Sequence, residues 1–551
     1  MKQEAGNMRR TGSLALCVAL ITCILSCSAP IVVSNSSATE ESPWKKSPAT
    51  PERLLVLVID EFQDSFIQKY ALKNFARFKE NAMSFDNATV GHLSSDELTS
   101  HTVLTTGLLP KNLPYQDRIF RDSTGKLGAK GNLYSTKDLS RKQFERLLTD
   151  TAPTNLHARL KRGHRGDTFT IGNDEASAYA LGSPYSDLLV TLGAPKKQGP
   201  LKGLCAPAGV DVPDYFLYPA GGRFFLNCVS DFPSGNRFIL GNDPAHLGGD
   251  AWIADSILEV MKEESDWRAI FATTASVHES LKLTVQYGNE IPVPALNDSP
   301  IALPKILQTL DEQFGKILTT LEKKDLLKET LVVVTSSHGG QFNRTLWQSN
   351  FKNGVHIVGK LKNAPEAKSI ENLPLELRPF IKNPKVDAIS YDTSLKFYLN
   401  TKDAIEISKL AIEIGQVKGV SEVYARKYLS TGSQFIRTYR SKELQGPALE
   451  WAKAKNQDLL STLAQDSSSD LIAFLFDETG YADLGGGGGA QKAVQQIPLM
   501  IWSPNLAKGS QSPYPIRLVD LNPVISRLMN LSIPSELNGT RAPVDNLVLV
   551  P

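Results

Sequence analysis

The sequence predicts an α/β fold with a mostly parallel central sheet. Short apolar runs typical of buried strands alternate with stretches in which apolar residues recur at helical spacing. The strand-like runs lie at residues 54–59, 168–171, 187–192, 269–274, 330–335, 470–476 and 497–502. One face of the longest helical stretch, 302–324, would pack on the sheet through Leu310, Phe314, Ile317, Leu318 and Leu321. Alternating strands and helices indicate parallel pairing, because parallel neighbours need a crossover connection, usually a helix.

The segment from about 351 to 465 has a different texture, which predicts a small α+β insert. A strand-like run at 394–400 precedes a helical stretch at 403–414 and a second strand-like run at 419–426. A strand, a helix and a strand at this spacing form a compact unit. After the insert the main sheet is expected to resume. We therefore divide the chain from residue 52 onward into three parts: 52–350 (core, first part), 351–465 (insert) and 466–551 (core, second part).

The charge balance argues against binding to nucleic acid. The 551 residues include 60 Lys and Arg against 58 Asp and Glu, which gives a formal net charge of +2. Hydrophobic residues make up 41% of the chain, which at this length is enough for more than one core. The sequence contains no basic run interleaved with aromatic residues, so we expect no nucleic-acid partner.

The N-terminus predicts export and a lipid anchor. Basic residues precede an apolar run at 14–25, which is too short to span a bilayer and fits the core of a signal peptide. Ile-Leu-Ser before Cys27 resembles a bacterial lipobox, in which the peptide is cut before a cysteine that then carries lipid. We interpret 1–26 as a lipoprotein signal peptide and 27–51 as a flexible tether. Cys27 would then hold the protein in the bacterial cell envelope, facing the periplasm or the outer surface. An ordinary secretory signal is the alternative.

The other cysteines leave two interpretations open. Removal of the leader deletes Cys17 and Cys23, and lipidation would use Cys27, so Cys205 and Cys228 remain. An oxidising compartment would permit a disulfide between these two residues. Two buried free thiols are the alternative.

The sequence Thr-Ser-Ser-His-Gly-Gly at 335–340 raises a question about metal binding. It ends a strand-like run, and α/β folds place their ligands at the carboxyl ends of parallel strands. A metal site would favour a carboxylate beside the imidazole of His338, yet Ser337 stands before it. The histidine and the glycines are present, but the acid is not.

Several segments together resemble the alkaline phosphatase superfamily, in its type I phosphodiesterase and nucleotide pyrophosphatase branch. They are the strand that ends in Asp60, the segment GHLSSDELTSHTVLTTGLLPKN at 91–112, the turn at 335–340, and the segments at 248–267, 480–504 and 518–539. The resemblance implies an α/β/α sandwich. It also implies two metal ions, usually zinc, held by Asp and His ligands beside a Ser or Thr nucleophile, the arrangement that transfers phosphoryl groups.

Carried over by position, the ligands of one metal ion are partly replaced. Asp60 and His338 match metal-binding residues of the family. Glu97 falls at the nucleophile position, counted back from His101, and a register shifted to a nearby Ser or Thr is less favoured. Ser337 stands where the resemblance requires Asp.

The other metal position is replaced more completely. The better register places His278 and Lys282 where the resemblance requires Asp and His four residues apart. The alternative register takes His278 as the histidine and leaves Thr274 at the Asp position. The last histidine of the family is replaced by Ala490 or Gln491. Lys282 would add a positive charge that repels a cation.

These substitutions predict a site that does not hold two zinc ions. We expect no metal or one divalent cation, zinc before others. The residues expected to meet at the carboxyl edge of the sheet are Asp60, Glu97, His278, Lys282, Ser337 and His338. The favoured function is that of a catalytically degenerate lipoprotein that acts in binding or envelope assembly. The alternative is an active phosphate-ester hydrolase with a rearranged, single-metal site, in which Lys282 replaces the missing ion electrostatically. The sequence leaves open whether a protein or a phosphate-containing ligand is the partner.

Overall fold

The computed structural model describes residues 44, 49–162, 166–172, 175–191, 244–274, 276–277, 302–340, 345–346, 357–363, 373–430, 432–463, 467–477, 479–481, 487–506, 509 and 511–548. The residues of the predicted anchor and disulfide, and two residues of the second metal position, lie outside these ranges and stay predictions; they are Cys27, Cys205, Cys228, His278 and Lys282. Within the described ranges, no helix combines the length and the apolar character that a transmembrane span requires.

Twenty strands are defined in these residues. In chain order they are β1 (Arg53–Ile59), β2 (Met83–Phe85), β3 (Ala88–Thr89), β4 (Ile119–Arg121), β5 (Leu133–Ser135), β6 (Thr168–Gly172), β7 (Leu188–Thr191), β8 (Ala269–Thr274), β9 (Thr330–Thr335), β10 (Thr345–Leu346), β11 (Ile357–Gly359), β12 (Val386–Tyr391), β13 (Ser394–Leu399), β14 (Val420–Leu429), β15 (Gly432–Arg440), β16 (Leu471–Leu475), β17 (Thr479–Gly480), β18 (Leu499–Trp502), β19 (Gln511–Ser512) and β20 (Ile516–Arg517).

The same residues form fourteen α-helices. They are α1 (Asp64–Lys69), α2 (Lys73–Asn81), α3 (Glu97–Thr106), α4 (Arg141–Leu148), α5 (Leu156–Lys161), α6 (Glu175–Gly182), α7 (Pro244–Glu263), α8 (Ala302–Lys323), α9 (Arg378–Ile381), α10 (Ala404–Gly415), α11 (Gly446–Leu460), α12 (Lys492–Gln495), α13 (Leu521–Leu528) and α14 (Ala542–Asp545).

Eight strands form the central sheet, in the order β19-β2-β18-β9-β1-β8-β6-β7. The five strands from β9 to β7 are parallel to one another. β18 is antiparallel to both of its neighbours, so the other seven strands run in one direction. The predicted mostly parallel sheet is confirmed, and the predicted runs at 54–59, 269–274 and 330–335 form the adjacent strands β1, β8 and β9.

Strand β1 contributes to two cores, one on each face of the central sheet. Leu55 and Leu57 pack into the core that α8 covers, whereas Val56 and Val58 pack into the core that α13 covers. Successive side chains of a strand point to opposite faces, so a strand buried on both faces is an unbroken apolar run in sequence. This layering is the predicted α/β/α sandwich. The predicted core residues of α8 are all buried: Leu310, Phe314, Ile317, Leu318 and Leu321.

A second sheet contains six antiparallel strands in the order β11-β12-β13-β16-β14-β15, and α10 packs on it. Its strand β16 comes from the predicted run at 470–476, so the prediction that this run continues the central sheet is wrong. Leu471 and Ala473 pack into one core, and Ile472 and Phe474 into another. Because both faces are buried, the run lacks the alternation that would distinguish it from a strand of the central sheet. The predicted domain limits stay predictions.

Candidate metal centre

The candidate site lies at the carboxyl edge of the central sheet, where β1 ends between β8 and β9. Ile59 pairs with Thr274 at the end of β8, and Val58 pairs with Thr335 at the end of β9. The next residue, Asp60, is 1% exposed, and its backbone N–H donates to the carbonyl of Thr274 at 3.2 Å. The edge therefore buries a carboxylate at the end of a central strand, the position where α/β sheets bind ligands.

Ser337 and His338 reach the same edge from the end of β9. The Ser337 hydroxyl donates a hydrogen bond to Oδ1 of Asp60. Nδ1 of His338 donates to the carbonyl of Gly339 at 2.9 Å and lies 3.9 Å from Oε1 of Glu61. Glu61 has a left-handed backbone (φ 61°), which non-glycine residues adopt mainly where the surrounding structure imposes it. Two neighbouring strand ends thus contribute two acids, a hydroxyl and an imidazole to one buried edge.

The glycines near His338 are required by close backbone packing. A Cβ atom at Gly339 would lie 2.0 Å from the carbonyl oxygen of Ala493. A Cβ atom at Gly487, in the glycine-rich segment, would lie 2.1 Å from the carbonyl oxygen of Ser95 and 3.3 Å from the ring of His338. These distances leave no room for a side chain, which explains why glycine stands at both positions.

Helix α3 brings Glu97 and His101 to Asp60. The carboxylate of Asp96 accepts a hydrogen bond from a first-turn N–H at 3.2 Å and caps the helix, which begins at Glu97. The hydroxyl of Ser177 donates to Oε1 of Glu97. His101 follows one turn later on the same face, because residues four apart in a helix lie above one another. Its Nε2 lies 3.9 Å from Oδ1 of Asp60.

Asp60, Glu97 and His101 form a cluster of the atom types that bind divalent cations. One ligand atom from each side chain lies within 4.8 Å of the other two. Among the described residues, neither ring nitrogen of the fully buried His101 has a hydrogen-bond partner. Burial, together with nearby His338, lowers the pKa of His101 to about 3, so the imidazole is neutral and can offer a lone pair. Two carboxylates and a neutral imidazole fit one cation such as zinc.

Four of the predicted site residues meet at one edge of the sheet. Asp60 and Glu97 belong to the cluster, Ser337 donates a hydrogen bond to Asp60, and His338 lies at the same edge. His101 has no role in the resemblance, yet its spacing of four residues from Glu97 is a sequence signal that identifies it.

Gln491 has a structural role away from the cluster. It precedes α12, is 4% exposed, and donates from its amide to the carbonyls of Phe476 at 3.3 Å and Thr479 at 3.4 Å. These bonds hold Gln491 against the chain that follows β16. His278 and Lys282 lie outside the described residues, so neither register proposed for the second metal position is tested.

Comparison with known proteins finds likeness in structure rather than in sequence. A scan against protein-family models gave no match, and no curated protein matches the chain. Human ectonucleotide pyrophosphatase/phosphodiesterase 5 is similar in structure, with a TM-score of 0.53 and 12% identity over 90% of this chain and 99% of that one. The murine protein of the same name gives 0.51 and 12%, over 90% of this chain and 100% of that one.

Wild-type alkaline phosphatase PafA is similar to the same degree, with a TM-score of 0.52 and 12% identity over 90% of this chain and 99% of that one. At this identity the likeness concerns the fold, and it extends over nearly the whole of each protein. The chain therefore has the fold of the alkaline phosphatase superfamily, and the resemblance predicted from its motifs is confirmed at that level.

Proposed function

We propose that the chain is a catalytically degenerate protein of this fold that binds one divalent cation through Asp60, Glu97 and His101. The observation that carries the proposal is the carboxylate of Glu97 at the position where the resemblance requires a Ser or Thr hydroxyl. Zinc is the first candidate, because imidazole and carboxylate ligands suit it. A cation bound there would supply a Lewis acid that attracts the oxygens of a phosphate group. The site would therefore bind a phosphate-containing ligand without forming a covalent intermediate.

Among the described residues, two hydroxyls donate hydrogen bonds to carboxylates of the cluster, and their surroundings favour a positioning role. Ser177 donates to Glu97, and Ser337 donates to Asp60. Both serines are fully buried, so neither hydroxyl faces solvent, from which a substrate would approach. Each instead fixes the orientation of one carboxylate, as hydrogen bonds to metal-binding carboxylates generally do.

A charge-exchange experiment tests the cation site. Glu97→Thr removes one of the two carboxylates, and metal analysis of the purified chain should show loss of the bound cation. Adding Ser337→Asp to that variant places a second carboxylate beside Asp60, whose Oδ1 the Ser337 hydroxyl contacts, and binding should return. Failure of the double variant to recover the cation would contradict a shared pocket. Two cations per wild-type chain would contradict the single-cation proposal.

An activity assay separates binding from hydrolysis. Release of nitrophenol from bis-(p-nitrophenyl) phosphate, with zinc or manganese present, should not exceed the rate without protein. Turnover that is lost in Glu97→Gln would instead establish the alternative, a single-metal hydrolase. Glu97→Gln preserves the size of the side chain and an acceptor for Ser177, so loss of turnover would report the charge.

The proposed function includes attachment to the bacterial cell envelope through a lipid on Cys27. The support is the basic start, the short apolar run at 14–25 and the cysteine two residues beyond it. Lipid chains contribute roughly 0.8 kcal/mol for each buried CH₂ group, so loss of the acylated cysteine should release the protein or leave it unprocessed. Cys27→Ser should therefore change both mass and membrane fractionation. A variant with unchanged mass and fractionation would contradict the anchor.

A further inference from the structure

A cleft of about 680 Å³ opens beside α11, away from the cation cluster. Its walls come from α11, from α12 and from the chain at 87–91, 109–111 and 515–517. None of its lining residues belongs to the cluster of Asp60, Glu97 and His101. The volume lies within the range of roughly 300–1,000 Å³ that is typical of small-molecule sites.

The cleft is strongly basic. Lys111, Lys455, Lys492 and Arg517 line it, against a single lining acid, Asp458. Within the described part of the chain, none of the three lysines forms a salt bridge, whereas Arg517 is paired outside the lining. Several positive charges that share one concave surface repel one another, and an anion between them would relieve that repulsion.

Another cleft of the protein shows the contrasting arrangement. It has a volume of about 330 Å³ and is lined by one lysine, Lys79, together with Asp64 and Asp86. The ammonium group of Lys79 lies 2.6 Å from the carboxylate of Asp64. Its cation is neutralised by a neighbour, so this smaller cleft lacks the excess positive charge of the cleft beside α11.

The walls of the basic cleft are fixed by contacts that leave its lysines free to meet a ligand. Nη2 of Arg517 lies 3.0 Å from Oδ1 of Asp520, and the aliphatic part of Arg517 fills the space beside Gly91, where a Cβ atom would be 2.5 Å away. Nε1 of Trp451 donates to the carbonyl of Ala490 at 2.7 Å. A site whose walls are already ordered loses less entropy when a ligand binds.

One buried amide joins the remaining walls. Gln495 is 1% exposed; its Oε1 accepts from the N–H of Gly91 at 3.2 Å, and its Nε2 donates to the carbonyl of His92 at 3.0 Å. The three lysines of the cleft are exposed, whereas the residues that join its walls are held by these contacts.

We propose that this cleft binds small molecules or headgroups that carry phosphate groups. Lysine ammonium groups and an arginine guanidinium are the side chains that most often bind phosphate oxygens. Trp451, Leu109 and Leu459 add an apolar wall that would contact the organic part of such a ligand. Binding here requires no metal ion, because the cations of the cleft belong to the protein itself.

The test uses the purified full chain in the presence of EDTA, which removes any contribution from the cation cluster. Calorimetric titration with inorganic pyrophosphate probes free phosphate. Sedimentation with phosphatidylcholine vesicles, with and without phosphatidylglycerol, probes lipid phosphate, and the difference between the two vesicles cancels any contribution of a lipid anchor. The triple variant Lys111→Gln, Lys455→Gln, Lys492→Gln should bind whichever probe the wild type binds, but with an affinity at least roughly tenfold lower.

A matched triple variant controls for net charge. Lys382→Gln, Lys409→Gln and Lys442→Gln remove three exposed lysines outside the cleft and should leave binding unchanged. The proposal is supported if either probe binds the cleft variant more weakly than the wild type while its binding to the control variant is unchanged. The probe that shows this difference identifies the source of the phosphate. Equal weakening in both triple variants, or no binding of either probe to the wild type, overturns it. Either result leaves the cation site to be judged by its own metal analysis.

Discussion

The substitution Glu97→Gln tests whether the carboxylate of Glu97 binds a cation. It removes one negative charge and keeps the size of the side chain, and the new amide oxygen can still accept from Ser177. A ligand that binds only the folded state stabilises it by about 2.7 kcal/mol when its concentration is one hundred times its Kd. The wild type should therefore gain about 2.7 kcal/mol in free energy of unfolding when zinc replaces EDTA at that concentration.

The geometry of the cluster determines how much zinc-binding free energy Glu97→Gln should lose. The ligand atoms of Asp60, Glu97 and His101 lie within 4.8 Å of one another, so a cation among them is close to both carboxylates. Two unit charges 4 Å apart interact by about 4 kcal/mol near a protein surface. Glu97 is partly exposed, so solvent screening reduces this value. A loss of about 2.7 kcal/mol in the free energy of zinc binding raises Kd a hundredfold. At the same zinc concentration, the free energy of unfolding of the variant would then rise by only about 0.4 kcal/mol.

Urea unfolding with EDTA and with zinc measures both gains directly. Asp311→Asn is the matched control, because it also replaces a carboxylate by the amide of the same size, but the Asp311 carboxylate accepts from the backbone N–H groups of Asn74 and Phe75 at 3.0 and 2.9 Å. The control should lower stability in both conditions and keep the full gain from zinc. A gain in Glu97→Gln equal to that of the wild type would refute the assignment of Glu97 as a ligand.

Three other predictions concern packing, pH and cysteine pairing. Gly339→Ala should lower the free energy of unfolding by about 3 kcal/mol, because a Cβ atom would lie 2.0 Å from the carbonyl oxygen of Ala493; an unchanged urea midpoint would contradict this. Burial lowers the pKa of His157 to about 4 from 6.5, so the unfolded chain binds more protons between these values, and stability is full above pH 6.5 and falls toward pH 4. His157→Gln should remove about 3 kcal/mol of this dependence, whereas parallel curves of stability against pH would contradict it. Cys205 and Cys228 should not react with a thiol reagent in the denatured, unreduced chain, since their disulfide would contribute about 3 kcal/mol to stability; two reactive thiols would exclude it.

The central strands are predictable from sequence because burial on both faces leaves a clear signal. β1 and β9 are unbroken apolar runs, and polar residues follow each run where the strand meets the sheet edge. The same signal misplaces β16, which is buried on both faces in the second, antiparallel sheet. It is also silent on the direction of β18, because an apolar run has no polarity along the chain. Strand identity is therefore encoded locally, whereas sheet membership depends on partners distant in sequence.

The candidate site shows the same division between local and distant information. Asp60 and Ser337 are predicted to lie at one edge because each follows a strand of the central sheet. The hydrogen bond between them confirms that they lie close together. His101 depends on a helix face, and the pairing of Glu97 with Ser177 on α6 depends on the packing of two helices. The spacing of four residues relates His101 to Glu97 in the sequence, whereas the contact between Glu97 and Ser177 leaves no motif, since these partners lie 80 residues apart.

The residues at the cluster suggest that charge moved across the site rather than disappeared from it. The resemblance requires a hydroxyl at position 97 and a carboxylate at position 337, and this chain has Glu97 and Ser337, the reverse arrangement. Both positions contact the region of Asp60, so the exchange preserves two carboxylates at this edge of the sheet. On the proposed function it would not preserve a nucleophile, because the hydroxyl at position 337 lies fully buried after β9 rather than at the start of a helix. Cation binding depends mainly on the charge and number of ligands, whereas covalent catalysis also depends on the placement of one oxygen, so the same exchange can retain the first and remove the second.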